Sequence, residues 1–272
     1  MGDYADLPGI RMWYETEGSG DPLLLLHGGL CTNATWGGQR AELAAHYRLF
    51  LPERRAHGHT PDVEGPLSYQ DMAEDTVAFL ETVVGGPAQL VGWSDGGVVA
   101  LLVAMARPDL VRRAVLIGAN FRPSPESFVE PALVDALRPE GVDLAFFREL
   151  YEAVTPEGAG HWPVVARKVI HMWRTQPSLT AADLARVTAP TLVVAGDDDM
   201  MTLEHTVALY RALPAGQLAV VPGASHLVPV EQPASVNRLI LNHLARDAVE
   251  TMMPIRRAAS RTAPGTAETA ES

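Results

Sequence analysis

A single cysteine, Cys31, stands in the 272-residue chain, which excludes an intrachain disulfide and a cysteine-based zinc cluster. Positive charge is the scarcer sign: 21 Lys and Arg against 33 Asp and Glu give a formal net charge of −12. An acidic chain without a basic run is a poor electrostatic match for phosphate backbones, so the expectation is no nucleic-acid partner. Long apolar runs are also missing. Stretches such as Val98 to Ala106 fall far short of the roughly 18 residues that a membrane span needs. The opening residues Met1-Gly2-Asp3-Tyr4-Ala5-Asp6 are acidic and hold no apolar stretch, unlike a signal peptide. These absences predict a soluble, cytoplasmic protein with no membrane partner. Aromatics are few, at 6%, but 47% of the residues are hydrophobic, enough to bury a core of one large domain or a core plus a subdomain.

What is present is a rhythm of short apolar runs that end at Gly, His or Pro. Leu23 to Leu26 leads into His27-Gly28-Gly29, and Leu49 to Leu51 leads into the polar loop from Pro52 to Pro61. Ala88 to Val91 stops at Gly92, Ala114 to Ile117 at Gly118, Thr191 to Val194 before Gly196, and Leu218 to Val221 at Pro222-Gly223. Continuous rather than alternating apolar runs are the mark of strands covered on both faces of a parallel sheet. Between them, helices are expected over Tyr69 to Val84, Gly96 to Arg107, Leu203 to Leu213 and Pro233 to Arg246, and Arg11 to Glu17 reads as an antiparallel edge strand. The fold class is therefore α/β, a mostly parallel sheet flanked by helices, with its site at the carboxyl ends of the strands. Seven prolines, Pro123 to Pro177, break the rhythm between Arg122 and Thr188, with helix-like pieces around Val142 to Tyr151 and Val164 to Trp173. The expected organisation is a core of residues 1–121 and 188–250, a helical insertion at 122–187 over the strand ends, and a flexible tail at 251–272. From Ala258 onward the tail has no large apolar residue to offset its ordering entropy.

The strongest local signal is Gly92-Trp93-Ser94-Asp95-Gly96-Gly97. A GxSxG pattern between a buried strand and an apolar helix describes a nucleophile elbow, with Ser94 exposed at the sheet rim. A serine hydroxyl needs a base to take its proton, and the base needs an acid to hold its tautomer, in the chain order Ser, acid, His. Of the later histidines, His226 alone follows a strand end. His243 lies in a helix, His161 and His171 belong to the insertion, and His205 falls in the first turn of a helix. One of Asp197, Asp198 and Asp199, which close the preceding strand, should orient it. A tetrahedral oxyanion needs donors. The backbone N–H of Asp95 and that of Gly29, in the loop after the earlier strand, are the candidates. His27 reads best as a hydrogen-bonded residue shaping that loop, and Cys31 as a small buried hydrophobe. Trp36, Phe121, Phe128, Phe146, Phe147, Trp162, Met172 and Trp173 either line an apolar pocket or pack the insertion. Asp197 and Asp198 have no partners placed to complete a metal shell, so neither metal nor cofactor is expected.

With these stations, the chain resembles the α/β-hydrolase fold superfamily of serine hydrolases. The matching stations are His27-Gly28-Gly29, the Arg55-to-Thr60 loop, the Gly92-to-Gly97 elbow, Gly196-to-Asp199 and Gly223-to-His226. The resemblance implies Asp199 as the acid, Gly29 as the second oxyanion amide, and a cap role for 122–187. Ala56 and Glu53 depart from the Gly and Asp common at their positions. The elbow is also similar to that of the valacyclovir hydrolase (biphenyl hydrolase-like) family, which implies a cation-recognising Asp95 side chain. An acid in a helix's first turn is also favoured by the helix dipole alone. The expected function is a cofactor-free serine hydrolase cleaving small-molecule carboxylic esters through an acyl-enzyme. Perhydrolase or haloperoxidase, amidase, thioesterase and C–C hydrolase chemistry on the same triad remain alternatives, as does a non-catalytic receptor on this fold. Oligomeric state stays open.

Overall fold

The computed structural model describes residues 2–141, 144–247 and 251–253. Beyond residue 253, the tail expected at 251–272 lies outside the described residues. Eight strands form one sheet: β1 (Gly2–Leu7), β2 (Ile10–Glu17), β3 (Pro22–Leu26), β4 (Arg48–Pro52), β5 (Ala88–Trp93), β6 (Val111–Ile117), β7 (Thr191–Gly196) and β8 (Gly216–Val221). Their order is β1-β2-β4-β3-β5-β6-β7-β8. The β1–β2 and β2–β4 pairs are antiparallel, and the pairs from β4–β3 to β8 are parallel. One expectation needs correction: β2 is not the edge strand. β1 lies outside it and buries only Ala5 and Leu7, with the acidic Asp3 and Asp6 exposed between and before them. A one-faced edge strand has no continuous apolar run to betray it.

The continuous runs of the central strands have a simple cause. Leu24 and Leu26 of β3, Leu90 of β5 and Leu116 of β6 enter one apolar cluster, while Leu23, Leu25, Val91, Val115 and Ile117 enter another. Successive side chains point to opposite faces, and both faces here are roofed by helices. The helices are α1 (Arg40–Ala44), α2 (Tyr69–Phe79), α3 (Asp95–Ala106), α4 (Pro131–Ala136), α5 (Ala145–Glu152), α6 (Trp162–Thr175), α7 (Ala181–Leu184), α8 (Leu203–Ala212), α9 (Val228–Glu231) and α10 (Pro233–Ala245). α2 begins where the Ser68 hydroxyl accepts the Asp71 N–H at 3.1 Å, a side-chain N-cap. α3 is buried nearly all round, from Val98 and Val99 to Val103 and Ala104, because it lies between the sheet and α2.

Residues 122–187 hold α4 to α7 and, among the described residues, no strand of the sheet. α6 turns Val165, Ala166, Val169, Ile170 and Met172 inward. Two polar ties join α6 to the body. Lys168, the one lysine of the chain, puts Nζ 2.8 Å from both oxygens of Asp62, which also meets His161 Nε2 at 2.8 Å. Near the other end of the helix, the Trp173 indole N–H donates to Asp95 at 2.9 Å.

Candidate active site

The turn from β5 into α3 is tight enough to hold Ser94 at φ 54°, ψ −116°. For a non-glycine residue this conformation costs about 1–3 kcal/mol. Close packing explains the flanking glycine: a Cβ on Gly96 would stand 1.9 Å from the Leu26 carbonyl oxygen. The backbone N–H of Ser94 donates to Ile117 at 2.8 Å, tying the turn to the next strand. Its hydroxyl is left pointing into the space above the strand ends.

There Ser94 Oγ lies 3.0 Å from His226 Nε2, and His226 Nδ1 lies 2.7 Å from Asp199 Oδ1. The loop that delivers His226 is fixed from two sides. The Trp93 indole N–H donates to the His226 carbonyl at 2.9 Å, and Asp197 Oδ1 accepts the Gly223 N–H at 2.7 Å. Asp198 is exposed. Of the three candidate acids the structure brings Asp199 alone to the imidazole, and Asp199 Oδ1 also accepts the Met201 N–H at 3.0 Å. Burial by itself would depress the His226 pKa, but the charge and hydrogen bond of Asp199, with Asp95 behind them, raise it above the ordinary imidazole value. Asp199 shifts the other way: burial opposes ionisation, yet the imidazole and the backbone donors hold its pKa below the usual carboxylate range.

Gly29 and Asp95 meet at the opposite wall. A Cβ on Gly29 would stand 2.3 Å from Asp95 Oδ2 and 2.7 Å from Trp173 Cζ2, so any larger residue must push one of them aside. Asp95 is 3% exposed and its carboxylate is already engaged. It accepts the Tyr69 hydroxyl at 2.7 Å and the Trp173 indole N–H on both oxygens, at 2.9 and 3.0 Å. Burial raises the Asp95 pKa, and the Arg54 charge with these donors only partly restrains the rise. Cys31 is buried beside the site with its thiol pushed up to about 12 by desolvation, which leaves it protonated at neutral pH. His27 lies beneath the loop, fully buried, with its pKa pushed well down by burial and by Arg54.

The cavity over Ser94 measures about 220 Å³. Phe128, Leu137, Phe147 and Trp173 from the insertion line it together with Val98 and Met201 from the core. Met200, 42% exposed, stands at its mouth. Trp36, Phe121, Phe146, Trp162 and Met172 of the aromatic and methionine set are not among its lining residues. Trp36, Phe121, Trp162 and Met172 are core residues. Tyr69 and Arg54 carried no sequence signal as site residues, since one sits in the first turn of a helix and the other in a charged loop. Among the described residues no cluster of three or more His, Cys, Asp or Glu is arranged to hold a metal ion, and no helix is long and apolar enough to cross a membrane.

The family model described as the alpha/beta hydrolase family matches residues 23–239. A Mycobacterium tuberculosis protein named "Putative non-heme bromoperoxidase BpoC" is 31% identical over 265 residues, covering 87% of this chain and 98% of its own. The (E)-2-((N-methylformamido)methylene)succinate hydrolase of Acinetobacter baylyi is 27% identical, covering 83% of this chain and 90% of its own. Among solved structures, the enol-lactonase of Burkholderia xenovorans superimposes with a TM-score of 0.74 at 22% identity, covering 90% of this chain and all (100%) of the other.

Proposed function

The chain belongs to the alpha/beta hydrolase family, and on that premise we propose that it is a serine hydrolase of uncharged carboxylic esters. The observation that carries this reading is the unbroken line from Ser94 Oγ through His226 to Asp199, at 3.0 and 2.7 Å. Ser94 Oγ attacks the acyl carbon while His226 Nε2 takes its proton. Asp199 holds the Nδ1 proton and stabilises the imidazolium. The Gly29 and Asp95 N–H groups receive the oxyanion. Collapse sends the His226 proton to the departing alkoxide and leaves the acyl group on Ser94. Water, activated by the same imidazole, then releases the acid. Besides the ester and water, the scheme uses side chains and backbone amides of the chain.

The helices of 122–187 act as the cap, since Phe128, Leu137, Phe147 and Trp173 give the cavity its apolar wall. The cavity of about 220 Å³, with its apolar wall, suits an apolar acyl chain of modest length. Asp95 serves this pocket as an anchor for Tyr69 and Trp173, whose donors take up part of its acceptor capacity.

The test is a panel of p-nitrophenyl esters from C2 to C16, run with aminoacyl esters and with peracid formation from acetate and peroxide. Turnover peaking at medium chains, absent in Ser94→Ala and no better with aminoacyl esters, is the expected result. Undiminished turnover in Ser94→Ala, or a strong preference for aminoacyl esters, would contradict it.

A further inference from the structure

Arg54 is fully buried (0% exposed), yet its guanidinium meets two backbone carbonyls and the His27 ring, with Nη2 3.2 Å from Nδ1, rather than a carboxylate. Nη1 donates to the His27 carbonyl, and Nη2 donates to the Gly28 carbonyl at 3.1 Å. The Arg54 N–H in turn donates to His27 Nε2 at 3.2 Å. That bond leaves the ring proton to Nδ1, which lies 2.7 Å from the same Gly28 carbonyl and 3.2 Å from Arg54 Nη2. The Cys31 N–H reaches this oxygen as well, at 3.3 Å. Burying a guanidinium without an ion-paired carboxylate costs several kcal/mol, and an apolar side chain could fill the same volume.

The Gly28 carbonyl and the Gly29 N–H belong to one planar trans peptide, so they point in opposite directions. With the oxygen pinned from below by Arg54, His27 and Cys31, the N–H is turned toward the cavity over Ser94. We propose that Arg54 is a positioning residue for the oxyanion site, holding and polarising the Gly28–Gly29 peptide so that its N–H meets the developing negative charge. This inference rests on the esterase reading above. The guanidinium has a second effect at the same place. The Asp95 carboxylate lies against Gly29, where its charge opposes an oxyanion, and the Arg54 charge acts against it. Burial first, and the Arg54 charge after it, hold the pKa values of the neighbouring His27 and His57 down.

The experiment compares full-length wild type with Arg54→Met, which keeps the packing, and Arg54→Lys, which keeps the charge but loses the fork. Each is assayed for p-nitrophenyl ester kinetics and for inhibition by an alkyl trifluoromethyl ketone, whose serine adduct carries an oxyanion. Direct loss of an oxyanion donor costs about 10²–10³ in kcat, and Arg54 acts one step removed. Arg54→Met should lower kcat by about 10–100-fold with KM within about threefold, and weaken the ketone in parallel. Arg54→Lys should recover part of both. If Arg54→Met does not fold, Arg54→Lys must itself lose at least about fivefold in kcat and in ketone affinity. Folded variants with wild-type kcat, or with a loss in KM alone, would overturn the role of Arg54. Wild type that neither turns over esters nor binds the ketone would instead overturn the esterase reading.

Discussion

Ser94 holds its hydroxyl at hydrogen-bond distance from an imidazole whose other nitrogen is tied to a buried carboxylate, and each member has a separate expected phenotype. Ser94→Ala should cut kcat by roughly 10⁴ to 10⁶ while circular dichroism and melting stay near wild type. Asp199→Asn should cost about 10⁴, because the amide selects the wrong imidazole tautomer. Asp198→Asn, at an exposed position, should stay within about twofold of wild type in steady-state assays. The pH profile follows from the His226 shift. The base acts only when neutral, and Asp199 raises its pKa, so kcat/KM should fall on the acid side with a midpoint above the ordinary value of about 6.5. In the residual activity of Asp199→Asn that midpoint should move down, since only the weaker Asp95 charge then opposes burial. A midpoint unmoved by the substitution would break the link between the two residues.

Helix α6 is the element on which substrate fit turns, because it reaches the core through two polar ties and lays Trp173 against Gly29 and Asp95. Lys168→Met breaks the tie to Asp62, whose side chain is only 8% exposed and keeps His161 as a remaining partner. The expected loss is about 3 kcal/mol, since a buried charge loses its counter-ion, with faster amide exchange over Trp162–Thr175. Gly29→Ala should be far more severe for activity, since its Cβ must displace the Asp95 carboxylate or the Trp173 ring. A fall in kcat of about 10² or more, with a shift in tryptophan emission, is the expected outcome.

Much of this element-level arrangement could be read from sequence wherever one element carried its own signal. The elbow, the strand-end loops and His226 each did, and so did α6 as a helix-like piece around Val164 to Trp173. The partners of Asp95 did not. Tyr69 stands in the first turn of α2 and Trp173 near the end of α6, and nothing local marks them as convergent. The loop departures were visible, though their consequences were not. Ala56 adopts φ 63°, the left-handed conformation that a glycine would take without strain. Glu53 accepts the N–H groups of Asn33 and His59, at 2.9 and 2.7 Å, and so pins the loop that carries Arg54. The edge strand β1 was missed for a different reason, since an edge buries one face and shows no continuous apolar run.

At the scale of the whole molecule, the buried histidines set how the fold responds to acid. Burial and the Arg54 charge hold His57 at about 3, and burial and Arg122 hold His205 at about 4. An unfolded imidazole takes its proton near 6.5. Between those values the unfolded chain binds more protons than the folded one, so stability falls as pH falls. His226, with its raised pKa, works in the opposite sense and loses its contribution as pH rises through that value. His27 and His243 are held down by burial as well, so four lowered imidazoles outweigh the one raised, and urea unfolding should show a lower midpoint at pH 5 than at pH 7. His205→Phe, which keeps a ring stacked on Phe121, should lessen the difference.

The claim on which all of this depends is covalent, and rapid-quench intact-mass spectrometry of the enzyme mixed with a medium-chain p-nitrophenyl ester tests it most directly. The expected result is one acyl group per chain within the burst, mapped by peptide fragmentation to Ser94 and absent from Ser94→Ala. Turnover with no acylated intermediate in the burst, or an acyl group mapped to another residue, would contradict it.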